Sequence, residues 1–153
     1  MAKPDFPALL GPGMHSLTLA DIHVIAVASF PDNALRAGLY DNLIRWAGAL
    51  SACGVNGTLW LDGSFLTEKP EPSDIDCVLW YPQWSSPEHH SAANELQLMR
   101  LLDKSSAKAL FDLDLYVEVP DDQDLVHRQA YWRGFFGYCH DRVTAKGLAE
   151  VVL

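Results

Sequence analysis

Cysteine is scarce in this sequence: among 153 residues there are only Cys53, Cys77 and Cys139, widely spaced and without a CxxC pair. The odd number and the spacing argue against a disulfide framework and against the paired cysteines of a structural zinc site. We therefore expect three reduced, mostly buried thiols, as in proteins of the cytoplasm.

Long apolar runs are also missing. The longest apolar stretches, such as residues 22–30, are shorter than the roughly 20 residues that a membrane-spanning helix needs. The N-terminus lacks the succession of basic, apolar and small residues that signal peptidase recognises. Together these two absences predict a cytoplasmic protein with no membrane partner.

Basic residues are few and scattered. Eleven Lys and Arg stand against twenty Asp and Glu, which gives a formal net charge of −9. Proteins that hold a nucleic-acid backbone neutralise its phosphates with clustered Lys and Arg, so a nucleic-acid partner is disfavoured unless another protein supplies the basic surface. Part of the acidic excess is expected to bind a cation, and the rest to form a solvated surface.

The hydrophobic pattern predicts a single domain over residues 1–153 with an α/β (α+β) fold, in which helices flank a short mixed sheet. Residues 1–13 are rich in Pro and Gly and are expected to form a loop or a packed arm, and residues 65–73 a stiff loop. Helices are predicted over 19–28, 33–53 and 86–104, and strands over 55–61, 75–81, 109–119 and 147–153.

Three of these segments have a side-chain pattern that predicts their orientation. The second helix, capped by Asp32, carries one apolar stripe at spacings of three and four: Leu35, Leu39, Leu43, Trp46, Leu50 and Cys53. The third helix is expected to turn Ala92, Leu96, Met99 and Leu102 or Asp103 inward. Residues 109–119 alternate apolar and polar, so Asp112 and Asp114 are predicted to lie on the polar face of a strand.

The most informative stretch joins two predicted strands. The first ends at Asp62-Gly63-Ser64, and after nine further residues the second begins with Asp74 and Asp76. Glycine has no side chain to clash, so the backbone at Gly63 can approach a phosphate, and the Ser64 hydroxyl and nearby amides can donate to its oxygens. Two aspartates at i and i+2 share one face of a strand, which suits a hard cation such as Mg²⁺.

A third carboxylate on another strand would complete a site for two metal ions, and Asp114 is the first candidate, with Asp112 as the alternative. Each feature alone has an ordinary explanation. Gly-Ser turns are common, and an isolated Asp-x-Asp pair is more often a solvated strand face. Their combination between two strong strands, followed by a third acidic strand, favours a metal-dependent site.

A Gly-Ser pair, a loop of this length and Asp-x-Asp together resemble the signature of the DNA polymerase beta-like nucleotidyltransferase superfamily. The whole chain is similar to a family of small bacterial and phage-associated proteins of unsettled function within that superfamily. The similarity is carried by residues 10–18 (LGPGMHSLT), 61–69 (LDGSFLTEK), 72–76 (PSDID) and 132–137 (WRGFFG).

The resemblance implies a role for each matching residue. Gly63 and Ser64 would hold the β- and γ-phosphates of a nucleoside triphosphate (NTP), and Asp74 and Asp76 would bind Mg²⁺ or Mn²⁺. Asp114 would complete the metal site and assist deprotonation of an acceptor hydroxyl. The implied reaction is attack of the acceptor oxygen on the α-phosphorus with release of pyrophosphate.

Two basic residues are further candidates for nucleotide binding. Lys69 lies on the loop between the two motifs, where it could meet the triphosphate, although an exposed lysine without such a role is equally expected. Arg133 lies among five aromatic residues, so that it either reaches the cleft or stacks on a ring.

The leading hypothesis is therefore a Mg²⁺-dependent nucleotidyltransferase that modifies a protein or a small-molecule acceptor, in a toxin–antitoxin or phage-defence setting that the resemblance alone implies. Minimal relatives often carry an arginine and a glycine after the Gly-Ser turn, whereas residues 65–70 here are FLTEKP. The alternative is a non-catalytic interaction protein of the same fold, docked to a toxin or in a complex through the aromatic residues of 131–138. Core packing is the competing explanation for most of those aromatics.

Overall fold

The structure, a computed structural model, describes residues 3–153. Over this range it contains one five-stranded mixed sheet and five α-helices, as the predicted α/β class requires. The helices are α1 (Leu19–His23), α2 (Ala34–Ala52), α3 (Ala92–Leu102), α4 (Lys104–Phe111) and α5 (Leu125–Phe136). The strands are β1 (Gly13–Ser16), β2 (Val55–Asp62), β3 (Ile75–Trp84), β4 (Leu113–Glu118) and β5 (Gly147–Val152). A π-helical segment, Val24–Ala28, continues α1, and 3₁₀ turns cover Ser64–Leu66 and Pro87–His89.

The strands lie in the order β1-β5-β2-β3-β4. The pairs β1–β5 and β3–β4 are parallel, whereas β5–β2 and β2–β3 are antiparallel. The register sets Asp62 of β2 opposite Asp76 of β3, and Asp76 opposite Asp114 of β4. Because directly opposite residues point to the same face, these three carboxylates form one row across neighbouring strands.

Different helices pack against the two faces of the sheet. The larger hydrophobic core joins one face, including Leu59, Leu61 and Leu79, to residues of α1 to α4. On the opposite face a smaller cluster joins α5 to the sheet; its buried members are Trp60, Val78, Trp80, Trp132, Phe136 and Leu148. The row of aspartates lies on this second face, since Asp62 and Asp76 are two residues from Trp60 and Val78 on the same strands.

The apolar stripe of α2 is confirmed for Leu39, Leu43, Trp46 and Leu50, which are all buried. Leu35 is an exception, because its side chain is 46 % exposed. The helix also begins one residue later than predicted. Asn33, not Asp32, is the N-cap, and its side chain accepts a hydrogen bond of 3.1 Å from the backbone amide of Arg36.

The prediction for residues 86–119 was wrong in its boundaries. The chain breaks at Asp103, whose backbone is extended and whose carboxylate caps a new helix by accepting from the Ser106 amide at 2.8 Å. The segment expected to start a strand therefore belongs to α4. The side chains of Leu96 and Met99, which were expected to face the core, are exposed to solvent. Asp112 therefore lies off the strand: it ends α4 with a left-handed backbone, φ 53°.

The N-terminal arm packs against the loop that follows β2. The Leu9 amide donates to the Leu66 carbonyl at 2.9 Å, and Ala8 forms an isolated antiparallel bridge with Thr67. The arm then enters β1, a strand that the sequence did not indicate because its four residues are too few to show a period of two.

The three cysteines are buried and free, as expected. Among residues 3–153, no helix has the length and apolar character needed to cross a membrane.

Candidate functional site

Three carboxylates from three adjacent strands form the centre of the candidate site. Asp62 ends β2 and is 1 % exposed, whereas Asp76 and Asp114 are partly accessible at the starts of β3 and β4. Asp74 lies two residues before Asp76 and is also partly accessible. The sheet register thus brings together Asp76 and Asp114, two of the three aspartates predicted for the site, and adds Asp62, which was predicted only as part of a turn.

Gly63 lies directly against this row. Its backbone has φ 79°, a conformation that favours glycine, and a Cβ built at this position would lie 1.8 Å from Asp76 Oδ2. Ser64 follows as the first residue of the 3₁₀ turn Ser64–Leu66, which contacts β3, and is half-buried. The Gly63-Ser64 turn and the Asp76 carboxylate are therefore immediate neighbours.

The row carries more negative charge than its partly buried setting favours. Burial, and after it the like charges of Asp74 and Asp114, raise the pKa of Asp76 to about 6. Burial also raises the pKa of Asp62 to about 7, although the nearby Lys146 ammonium acts in the opposite direction. Such pKa shifts are typical of sites that bind or move charge, although ion-pair networks produce them too.

Three lysines balance these aspartates, and none of them was among the residues predicted for the site. Lys104 Nζ lies 2.7 Å from Asp114 Oδ1, and Lys108 forms an ion pair with Asp74. Lys146, just before β5, places Nζ 3.3 Å from Asp62 Oδ2. The available signal was the spacing of Lys104 and Lys108, which are four residues apart and so share one face of α4.

The Asp62–Lys146 contact is an ion pair without hydrogen-bond geometry. Within residues 3–153, neither carboxylate oxygen of Asp62 has a hydrogen-bonding partner, although both are shielded from solvent. Buried carboxylate oxygens are normally hydrogen-bonded, because desolvation without compensation is costly. At the inner end of the acidic row, the charge of Asp62 is therefore compensated by the Lys146 ammonium, 3.3 Å from Oδ2.

The loop between the two motifs is fixed by Arg36 of α2. This side chain is fully buried, and its guanidinium donates to the carbonyl oxygens of Phe65 at 2.8 Å and Lys69 at 2.6 Å and also to that of Thr67. A further bond of 3.1 Å reaches the carbonyl of Ala26. An arginine on the apolar side of a core helix was the sequence signal for this role, which was not predicted.

The remaining candidates occupy different places. Lys69 contributes its backbone carbonyl to Arg36, and its side chain is half-buried. Arg133 is exposed on α5, with its guanidinium carbon 5.3 Å from the centre of the Trp60 ring, the stacking arrangement that was the alternative for this residue. Asp112 accepts a hydrogen bond of 3.1 Å from Asn42 and lies at the helix end rather than in the carboxylate row.

The aromatic residues of α5, with Tyr138 two residues after its end, divide into two groups. Trp132 and Phe136 are buried against the sheet, as core packing predicts. Tyr131, Phe135 and Tyr138 are 41–51 % exposed, and the rings of Tyr131 and Phe135 stack with their centres 6.1 Å apart. Any contact surface formed by this helix would therefore use the second group.

The oxygen donors of Asp74, Asp76 and Asp114 are of the kind that Mg²⁺ prefers. As arranged, however, residues 3–153 contain no group of three or more His, Cys, Asp or Glu side chains with the spacing of a formed metal site. Two of the three aspartates are instead engaged by Lys104 and Lys108. The donor chemistry thus fits a hard cation, and binding it would require these ion pairs to open.

Comparisons with curated proteins and with solved structures found no match to this chain. A comparison with protein-family models did find one, and the matched region, residues 4–152, includes every residue of the candidate site. Because the match extends over nearly the whole length, the chain belongs to DUF6932, a family of unknown function.

Proposed function

We propose that this protein is a Mg²⁺-dependent nucleotidyltransferase with a DNA polymerase beta-like nucleotidyltransferase fold. In this proposal it transfers a nucleoside monophosphate from an NTP to a protein or small-molecule acceptor. One observation carries the proposal: Asp62, Asp76 and Asp114 are in register on three strands, and the Asp76 carboxylate lies against Gly63. This contact joins the two motifs, Gly63-Ser64 and Asp74-x-Asp76, that resemble the superfamily signature.

The chain's own residues then have distinct tasks. The backbone at Gly63-Ser64 and the Ser64 hydroxyl donate to the β- and γ-phosphate oxygens. Asp74, Asp76 and Asp114 would hold Mg²⁺, which would neutralise the charge that develops on the phosphates. Asp114 accepts the proton of the acceptor hydroxyl, whose oxygen forms a bond to the α-phosphorus. The bond from the α-phosphorus to the bridging oxygen breaks, and pyrophosphate leaves with that oxygen.

The class of acceptor follows from charge. A net charge of −9 and scattered basic residues disfavour a nucleic-acid acceptor unless a partner supplies basic surface. A protein side chain or a small hydroxylated molecule is therefore the proposed acceptor class. The toxin–antitoxin or phage-defence setting rests on the resemblance of the sequence alone.

The direct test is a transfer assay. The protein is incubated with Mg²⁺, a lysate as acceptor source and each α-labelled NTP in turn, and labelled products are separated by size. We expect one NTP to give a labelled product that Asp76→Asn removes and Asp41→Asn, which neutralises an exposed aspartate of α2, leaves intact. Equal labelling by the wild type and by Asp76→Asn would contradict the proposal.

Metal dependence gives a second test that needs no acceptor. Mg²⁺ keeps several waters and commonly takes phosphate oxygens as ligands, so we expect it to bind weakly alone and to strengthen nucleotide binding. Calorimetry with α,β-methylene NTP analogues, with and without Mg²⁺, measures this coupling. The double variant Asp74→Asn, Asp76→Asn should abolish it, and an unchanged coupling would exclude these carboxylates as ligands.

A second candidate function is non-catalytic contact with a partner protein. It is favoured by the exposed aromatic side chains of Tyr131, Phe135 and Tyr138, because aromatic residues are enriched at interfaces. The ion pairs that engage Asp74 and Asp114 agree with a chain that retains the fold without turnover. Catalysis predicts that Asp76→Asn loses cellular activity, whereas non-catalytic contact predicts that this variant keeps it.

A further inference from the structure

Lys104 and Lys108 both reach the candidate site from α4. They lie one turn apart on α4, and each extends to one aspartate of the site, Lys104 to Asp114 and Lys108 to Asp74. The Lys104 ammonium also lies 3.3 Å from the centre of the Tyr116 ring, which holds it over the same face of the sheet as the carboxylate row.

Both ion pairs are accessible to solvent. The lysine side chains are 54 % and 48 % exposed, and those of Asp114 and Asp74 are 30 % and 24 % exposed. Ion pairs in such positions contribute little to stability, about 0–1 kcal/mol each, because water and salt screen them. They can therefore open at small cost when a stronger partner for the carboxylates arrives.

The inner end of the row is formed by a buried carboxylate that has its own lysine, Lys146, with Nζ 3.3 Å from Asp62 Oδ2. Asp62 is 1 % exposed, and within the described residues both of its oxygens lack hydrogen-bonding partners. It is directly opposite Asp76, whose neighbours Asp74 and Asp114 add further negative charge. Lys104 and Lys108 thus neutralise the accessible end of the row, whereas Lys146 serves its buried inner end.

We propose that Lys104 and Lys108 are exchange cations. Without metal they pair with Asp114 and Asp74; when Mg²⁺ takes these carboxylates, the two ammonium groups transfer to the phosphate oxygens of the NTP. This proposal rests on the proposed function and assigns the triphosphate-binding cations of the same site. It also explains why two flexible, singly charged side chains occupy the edge of the site, since a lysine can follow its partner over several ångströms.

The exchange couples the metal to the nucleotide. A metal ion that binds without nucleotide must displace the Lys104 and Lys108 ammonium groups from their carboxylates. The two ammonium groups then remain unpaired next to a divalent cation. An NTP removes this penalty because its phosphates accept both lysines, so each ligand should strengthen binding of the other by the same factor. Removing a lysine should therefore have opposite effects on the two ligands: tighter binding of metal alone and weaker binding of the metal–nucleotide complex.

The experiment compares Lys104→Gln, Lys108→Gln and their combination with Arg100→Gln, which removes one positive charge from an exposed position on α3. Calorimetric titration with Mn²⁺ alone should show binding up to about fivefold tighter for each lysine variant, the factor that corresponds to one exposed ion pair. Titration with α,β-methylene analogues of the four ribonucleoside triphosphates in Mg²⁺ should show at least about fivefold weaker binding, and Arg100→Gln should resemble the wild type in both.

Two results would overturn the exchange. Lysine variants that bind Mn²⁺ no more tightly than Arg100→Gln would show that the ammonium groups do not compete with metal. Unchanged nucleotide binding would show that they do not hold phosphate. Failure of the proposed function itself has a different signature: the wild type would then bind no NTP analogue in Mg²⁺ and label no acceptor.

Discussion

The Asp76 carboxylate and Gly63 form one structural unit, because the space that a Cβ at position 63 would fill is taken by Asp76 Oδ2, 1.8 Å away. The two residues are thirteen positions apart in the chain and come from different predicted motifs. Their contact is made possible by the positive φ of Gly63, which ends β2 and turns the chain into the 3₁₀ segment. A change in the backbone at Gly63 therefore also changes the position of the Asp76 carboxylate.

Gly63→Ala should consequently reduce stability and disturb the site together. The added methyl group has to displace the Asp76 carboxylate, and the backbone conformation is unfavourable for any residue with a Cβ, so we expect a loss of about 1–3 kcal/mol in the free energy of unfolding. Urea denaturation measures this loss. Gly38→Ala is the matched control, since an added Cβ meets nothing within 4 Å on the exposed side of α2, and it should stabilise by roughly 0.5–1 kcal/mol. Equal effects of the two substitutions would contradict the contact.

The raised pKa of Asp76, about 6, makes stability depend on pH in a defined direction. Between the unfolded value of 3.8 and about 6, the folded protein binds more protons at this group than the unfolded chain does. Stability is therefore lost as pH rises through this range, by about 1 kcal/mol between pH 5 and 7.5. Melting in EDTA at these two pH values should show that Asp76→Asn loses less stability than the wild type. If Asp76→Asn lost as much stability between these two pH values as the wild type does, the pH dependence would not come from Asp76.

Arg36 should be among the most sensitive positions in the chain. Its guanidinium donates to four backbone carbonyls, three of them in residues 65–69, so Arg36→Met leaves these acceptors without a partner. We expect a loss of about 3–5 kcal/mol in the free energy of unfolding and faster hydrogen exchange or proteolysis in residues 64–70. The control is Arg100→Met on exposed α3, which should change stability by less than about 0.5 kcal/mol. Arg36→Met with unaltered protection of the loop would exclude this role.

The sequence predicted best those parts of the fold in which a period is long enough to be visible. The apolar stripe of α2 and the apolar strands β2 and β3 show such a period. The Gly63 and Asp76 motifs were found by a different signal, the residue types at the ends of these two strands. Residues 104–111 were predicted in part as strand, because the true alternation of β4 was extended backwards through a helix. Asp103, a capping residue, was the local signal that should have ended the helix before it.

The parts of the site that the sequence did not reveal depend on tertiary register. Asp62 becomes a site neighbour only because β2 and β3 pair with Asp62 opposite Asp76. Lys104 and Lys108 reach the site only because their segment is a helix at the edge of β4. Arg36 binds carbonyls about thirty residues away. Local signals existed for the lysines and for Arg36, but no local pattern shows which distant residues they meet, whereas the Gly-Ser and Asp-x-Asp motifs are local and were found.

The two candidate functions are separated by one pair of variants. If the protein acts by catalysis, Asp76→Asn should fold and bind any partner but lose nucleotide transfer and the cellular effect, because loss of a metal ligand reduces rate far more than it alters shape. Tyr131→Ala with Phe135→Ala should then leave transfer to a small acceptor unchanged. If it acts by contact, Asp76→Asn should keep full cellular activity, and the aromatic double variant should lose it, since exposed aromatic side chains act as interface anchors. Trp132 and Phe136 are unsuitable for this test, because both are buried and their substitution would destabilise the core.

The measurement is cellular activity together with nucleotide transfer for both variants, with thermal melting to verify folding. Wild-type cellular activity in a folded Asp76→Asn variant would exclude the enzyme and leave the description of the fold unchanged.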